Sequence, residues 1–284
     1  MKKLVKHRPY QSVLNLWVKA FCIGLVYLFF FSQKISAQEY QLIAKIDTVA
    51  KIATVDNFGN LFVVTPQNEV LKFNAKGKFL WNYTNKTFGE ISQLDVTDPL
   101  RVILYYANFQ QIIVLNNNLS EISKYSFNQN PDQQITLTAS ANNNGFWVYD
   151  QINRELKKLS NSFIDDLKSG NIYQRNGFDM KATFMLSDEQ YVYINDEQFG
   201  IRIFDSYGNF IKTAVINVKK EFEVNGAEIY FFDDQKLMSY NYLTFQMKEV
   251  PLPVKSGFTN ALLRFNRLVV LNEKGLTLWA VKNN

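Results

Sequence analysis

The sequence predicts an all-β fold, a six-bladed β-propeller built from four-stranded blades. Three observations predict it. Short apolar runs begin at Leu61, Val102, Phe146, Tyr191, Ile229 and Leu268, with spacings of 41, 44, 45, 38 and 39 residues. A second run follows each of them after eight to ten residues, at Val70, Ile112, Leu156, Ile201, Leu237 and Leu276. Turn-forming residues (Gly, Asn, Asp) separate the runs, because they tolerate positive φ or bond their own backbone. A period near 40 with short strands in each unit is the pattern of propeller blades.

The elements follow in order. In the first unit, residues 56–60 (Asp-Asn-Phe-Gly-Asn) read as a turn and Leu61-Phe62-Val63-Val64 as a buried strand. Val70-Leu71-Lys72-Phe73, a turn at residues 74–77, and Phe79-Leu80-Trp81 complete it. The second strand of every unit is apolar at nearly every position, as expected where neighbours pack on both faces. In the third unit, residues 160–180 are the least regular stretch, with weak strand character and several turn residues. The sixth unit offers strands near residues 261–265, 268–271 and 276–280 and no fourth. Residues 40–46 are a spare strand ahead of the first unit, and pairing the two is expected to close the ring and hide an edge.

Residues 1–37 read as a secretory signal peptide: a basic leader, an apolar run of 12 residues from Ala20 to Phe31, and a small residue at Ala37. Twelve residues fall short of the roughly 20 that span a bilayer core. The alternative is an uncleaved anchor in the inner membrane. Cys22 lacks the small-residue context of a lipid-anchored cysteine. Residues 1–37 hold six of the 31 basic residues and none of the 26 acidic ones, so residues 38–284 carry 25 against 26, a net of −1. The basic excess that a nucleic-acid footprint needs is absent. The only Cys (Cys22) and the only His (His7) also lie there. Residues 38–284 therefore exclude disulfides, thiol chemistry, Cys/His zinc sites and Ser-His-Asp constellations.

The first and fourth units resemble NHL repeats. The residues that carry the resemblance are Asp56, Gly59 to Val63, Asn68 to Phe73 and Gly77 to Leu80 in the first unit. In the fourth they are Tyr191 to Ile194, Phe199 to Asp205 and Gly208 to Ile211. The region as a whole is similar to a divergent, bacterial six-bladed propeller with NHL-like repeats. That resemblance implies the fold and says little of activity, since propellers host many functions.

Propeller resemblance also implies two kinds of end. Connections between first and second and between third and fourth strands share one face, and here most are tight turns. Connections between second and third strands and between blades share the other, and include the longer segments 84–90, 128–133, 171–179 and 251–259. Binding residues concentrate on such loops, so the long-loop face is the expected functional one. Inner strands are expected to begin near Glu90, Gln133, Asp179, Glu221 and Asn260, whose polar groups would ring the channel mouth. Such an oxygen-rich ring suits a hard cation such as Ca²⁺. The other expectation is that these residues simply line a wet channel, and no cofactor is assigned. Phe88, Phe109, Tyr173, Phe178, Phe199 and Phe258 fall in loops of the same face, where they could anchor a protein or stack on sugar rings. Their bland alternative is folding back onto the blade tips.

The expectation is an exported, non-catalytic propeller, periplasmic or envelope-associated and monomeric on its own. It would bind an envelope protein or peptide, with no nucleic acid and no membrane span after signal cleavage. The competing readings are a metal-dependent lactonase or hydrolase and a carbohydrate-binding module.

Overall fold

The second strands explain the architecture. Along Arg101–Tyr106, Val102, Leu104 and Tyr106 enter one apolar cluster while Ile103 and Tyr105 enter another. Leu61–Val64 divides in the same way, Leu61 and Val63 to one side and Phe62 and Val64 to the other. Successive side chains of a strand point to opposite faces, so a strand buried on both faces must be apolar throughout. Six clusters result, each lying between two neighbouring sheets.

The computed structural model describes residues 39–219 and 221–282; the signal reading of residues 1–37 lies outside them. Six four-stranded antiparallel sheets hold 24 strands, β1 to β24. Blade one contains β2 (Ile52–Val55), β3 (Leu61–Val64), β4 (Glu69–Phe73) and β5 (Phe79–Thr84). Blade two contains β6 (Gln93–Asp98), β7 (Arg101–Tyr106), β8 (Gln111–Leu115) and β9 (Glu121–Ser126). Blade three contains β10 (Ile135–Ala141), β11 (Gly145–Asp150), β12 (Glu155–Leu159) and β13 (Asp165–Lys168). Blade four contains β14 (Ala182–Ser187), β15 (Tyr191–Asp196), β16 (Gly200–Asp205) and β17 (Phe210–Ala214). Blade five contains β18 (Phe222–Asn225), β19 (Glu228–Asp233), β20 (Lys236–Asn241) and β21 (Gln246–Val250). Blade six contains β22 (Asn260–Arg264), β23 (Arg267–Asn272), β24 (Gly275–Lys282) and β1 (Glu39–Ile46). β1 pairs with β24 from Glu39 opposite Lys282 to Ile46 opposite Leu276, bulging between Leu42 and Ala44.

The irregular stretch of blade three forms β13 and a single helical turn, Ile172–Asn176. Asn171 caps that turn by accepting the N–H of Gln174 at 3.0 Å, and Gly177 ends it at φ 75°.

A repeated turn staples each of blades one to four to the blade before it. Between third and fourth strands, the first turn residue accepts two backbone N–H groups, two and four residues on. Asn74, Asn116, Ser160 and Asp205 all do this. The residue three positions on is left-handed: Gly77, Leu119, Phe163 and Gly208. Each meets the preceding blade or the cluster it shares with that blade. Gly77 abuts Ala44 of β1, and Gly208 abuts Ser169 beside β13. Phe163 stacks on Tyr125 of β9 and on Phe146 at centroid distances of 4.6 Å, and Leu119 is buried between blades one and two.

Candidate functional site

The first strand of each blade is the innermost: β2 lies against β22 and β6, and β10 lies against β6 and β14. An inner edge carries backbone groups with no strand to pair with, and buried backbone groups require partners. Side chains of neighbouring blades supply them. Gln93 Oε1 accepts the N–H of Thr138 at 2.8 Å, and Asp95 Oδ2 accepts that of Ser140 at 2.6 Å. Gln93 Nε2 donates to the Met185 carbonyl at 3.5 Å, and the Ser187 hydroxyl donates to the Ser140 carbonyl.

An ion pair completes this belt from the other side of the channel. Arg264 Nε lies 3.2 Å from Glu223 Oε2. Its Nη1 donates to Thr54 Oγ1 at 3.1 Å and its Nη2 to Thr97 Oγ1 at 2.9 Å. Thr54 in turn donates to Glu223 Oε1 at 3.3 Å. Burial pushes the Glu223 carboxyl up to about 7, against the opposing pull of Arg264. All six blades thus contribute to one polar belt.

The belt leaves a cavity of about 40 Å³, lined among others by Thr54, Gln93, Asp95, Thr138, Glu223 and Arg264. That holds roughly three or four waters, at about 10–15 Å³ each. Small-molecule sites occupy about 300–1,000 Å³. The Thr138 hydroxyl is buried with no partner among the described residues, so water is the occupant that suits this space.

The inner strands begin later than the sequence suggests in all but one case, at Gln93, Ile135, Ala182, Phe222 and Asn260. The polar residues named for the channel mouth therefore sit mostly on the approaches to the strands. Glu90 is exposed and bonds Lys51 at 2.5 Å, a contact that lowers its carboxyl value. Asp179 is exposed and pairs with Arg154 at 3.0 Å. Gln133 donates to the Phe127 carbonyl at 3.4 Å. Glu221 and Asn260 come together, lining one small cavity with Lys51 and Glu223. Among the described residues, no group of three or more Asp, Glu, His or Cys side chains is placed to hold a metal ion. Sequence reading missed Thr54, Gln93, Asp95, Thr97, Thr138, Glu223 and Arg264. Their signal is faint: polar residues alternating with apolar ones along short first strands.

The loop aromatics divide. Phe88 packs edge-on against Tyr106, Phe258 against Phe232 and Phe178 against Phe210. Phe109, Tyr173 and Phe199 are exposed. Arg202 lies between two members of the set, its guanidinium 4.1 Å from the Phe178 ring centre and 5.1 Å from that of Phe199. Asp196 holds it there, Oδ2 accepting from Nε at 3.2 Å and Nη2 at 3.0 Å. Beside Phe199 opens a groove of about 640 Å³ on the long-loop face, walled by Phe199, Val215, Ile216 and Arg202. Val215 is 79% exposed. The opposite, tight-turn face also carries bare apolar tips: Phe58, Leu100, Tyr207, Leu243, Phe245 and Phe265.

No protein-family model matches the chain, and no curated protein matches it. Solved structures do. The chain is similar to the Pan2 WD40 domain of Neurospora crassa, with TM-score 0.59 and 10% identity over 88% of this chain and 98% of that one. It is also similar to a catalytically inactive virginiamycin B lyase from Staphylococcus aureus, with TM-score 0.56 and 13% identity over 86% and 100%. The Cps50 (Swd1) propeller domain of Myceliophteria thermophila gives TM-score 0.57 and 9% identity over 86% and 100%. At such identities the likeness is one of fold alone.

Proposed function

We propose that this chain is an exported, non-catalytic propeller that binds an envelope protein or peptide through its long-loop face. The observation that carries the reading is the contrast between its two kinds of space. The channel is narrow and its side chains are spent on the inner strand edges and on one another. The groove at blade four is open, of ligand size, and walled by the exposed Phe199 and Val215. Aromatic anchors on a rigid frame are features of protein interfaces. The structural neighbours include both a WD40 domain and a lyase, so they do not choose between binding and catalysis. The choice rests on the absence of His and Cys from residues 38–284 and on the occupied channel. The export context rests on the signal read in residues 1–37, and a divergent NHL-like bacterial origin on the first and fourth repeats.

The test is crosslinked affinity capture of the tagged, exported protein beside its Val215→Asp variant, with bound metal assayed on the same material. The expected result is a stoichiometric envelope partner that Val215→Asp loses while keeping the wild-type melting temperature. Capture unchanged by the variant, or no partner with a bound Ca²⁺ and esterolytic activity, would overturn the proposal.

A further inference from the structure

A second groove, of about 470 Å³, opens on the opposite face between blades four and five. It is walled by Tyr191, Tyr242, Leu243 and the turn at Gly226 and Ala227, and rimmed by Asp188, Glu189 and Gln190. Its charged lining is wholly acidic. Asp188 is held rigidly, accepting the N–H groups of Gln190 at 2.8 Å and Tyr191 at 2.7 Å and the Tyr193 hydroxyl at 2.9 Å. Glu189 stands exposed beside it. Leu243 of the lining is 62% exposed, and Phe245, in the same turn of blade five, is 69% exposed.

Tyrosine rings beside carboxylates suit a guanidinium, which stacks on one and forks to the other. The molecule already uses this chemistry on itself. Arg154 lies 5.5 Å from the Tyr173 ring centre and pairs with Asp179. The blade four–five groove has the half-buried Tyr191 ring and the acids, but among the described residues no basic side chain lines it. Lys212 approaches Tyr242, 4.7 Å from the ring centre, but its Nζ is spent on the Tyr242 carbonyl at 2.8 Å.

We propose that this groove docks an arginine side chain from an extended segment of a partner protein, with an apolar neighbour of that arginine resting on Leu243 and Phe245. This goes beyond the long-loop reading, since it concerns the other end of the molecule.

The test titrates the purified full-length protein with acetyl-Gly-Leu-Arg-Leu-Gly-amide and with its counterparts carrying Gln or Glu for Arg, followed by NMR. Saturable, salt-sensitive binding of the arginine peptide alone is expected, weakened about fivefold by Glu189→Gln, the scale of one exposed charge contact. Val215→Asp, on the far face, should leave it unchanged, so this result stands or falls apart from the partner-capture experiment. Equal binding of the Gln peptide, indifference to Glu189→Gln, or no saturable binding would overturn the proposal. So would equal loss in Val215→Asp.

Discussion

The contact between Gly77 and β1 can be tested with a single methyl group. Gly77 has φ +76°, and a Cβ built on it falls far inside contact distance of the Ala44 Cβ. Gly77→Ala therefore carries two penalties. The left-handed backbone costs an alanine about 1 kcal/mol. Displacing β1, or the turn itself, costs about 1–3 kcal/mol more, the usual range for overpacking. A total near 3 kcal/mol lowers the melting temperature of a domain this size by about 6–12 °C. Gly226→Ala is the control: its φ is +58°, and a Cβ there meets nothing within 4 Å. It should cost only the backbone term, about 2–4 °C. Ala44→Gly should rescue Gly77→Ala, with a coupling of about 1–3 kcal/mol in a double-mutant cycle. The assay is thermal unfolding followed by circular dichroism. Equal melting of the two glycine variants, or zero coupling to Ala44, would refute the claim that this turn clamps β1 into the ring.

Three further outcomes are expected. Lys72 is buried, its Nζ donating to the Asn117 carbonyl at 2.8 Å and lying 5.0 Å from the Phe62 ring centre, and burial lowers its ammonium value. Lys72→Met keeps the packing stem but orphans that carbonyl, so the urea midpoint should fall by the equivalent of about 1–3 kcal/mol, and an unchanged midpoint would contradict the staple. Glu223 is raised from the ordinary 4.5 to about 7, so the folded state holds the extra proton, and stability present below pH 4.5 is lost as pH rises towards 7, by about 3 kcal/mol. Glu223→Gln should flatten that slope in pH-dependent unfolding, whereas a slope retained in the variant would assign it to another group. Phe163 is left-handed at φ 61° while stacking on two rings, so Phe163→Gly should melt no lower than Phe163→Ala, the relieved backbone offsetting about 1 kcal/mol; a clearly less stable glycine variant would show that the strain is absent.

The fold was legible because its most regular strands are also its most buried. Residues such as Val102, Ile103 and Leu104 must be apolar on both faces, and the third strands repeat beside them at the same period near 40 residues. First strands gave no such signal. In Gln93–Asp98 and Ile135–Ala141, polar residues alternate with apolar ones because one edge faces the channel. That pattern also suits a surface strand, so the inner strands begin up to three residues later than the sequence indicates and their channel residues carry no distinct signal. Glu223 and Arg264 belong to the inner strands of the neighbouring blades five and six, and only the packing of one blade on the next brings them within 3.2 Å. A pair made by topology leaves no local trace in the sequence.

Two buried acids show how the blades commit their internal charges. Asp150 and Asp196 each end a second strand, and each binds the cation at the third residue of the next strand, Lys157 at 2.7 Å and Arg202 at 3.0 Å. Their repeated geometry marks them as parts of the blade. Burial opposes the charge on Asp150, but bonds from Asn153, Lys157 and the Gln134 N–H outweigh it and lower its carboxyl value. Such groups cannot change partners without breaking the sheet that positions them. Asp188 is likewise committed, to two backbone N–H groups and a tyrosine, yet it and its neighbour Glu189 sit on a groove rather than between blades. Asp150 and Asp196 thus join neighbouring strands within a blade, whereas Glu189 is left facing solvent at a turn. A groove opens on each end of the ring.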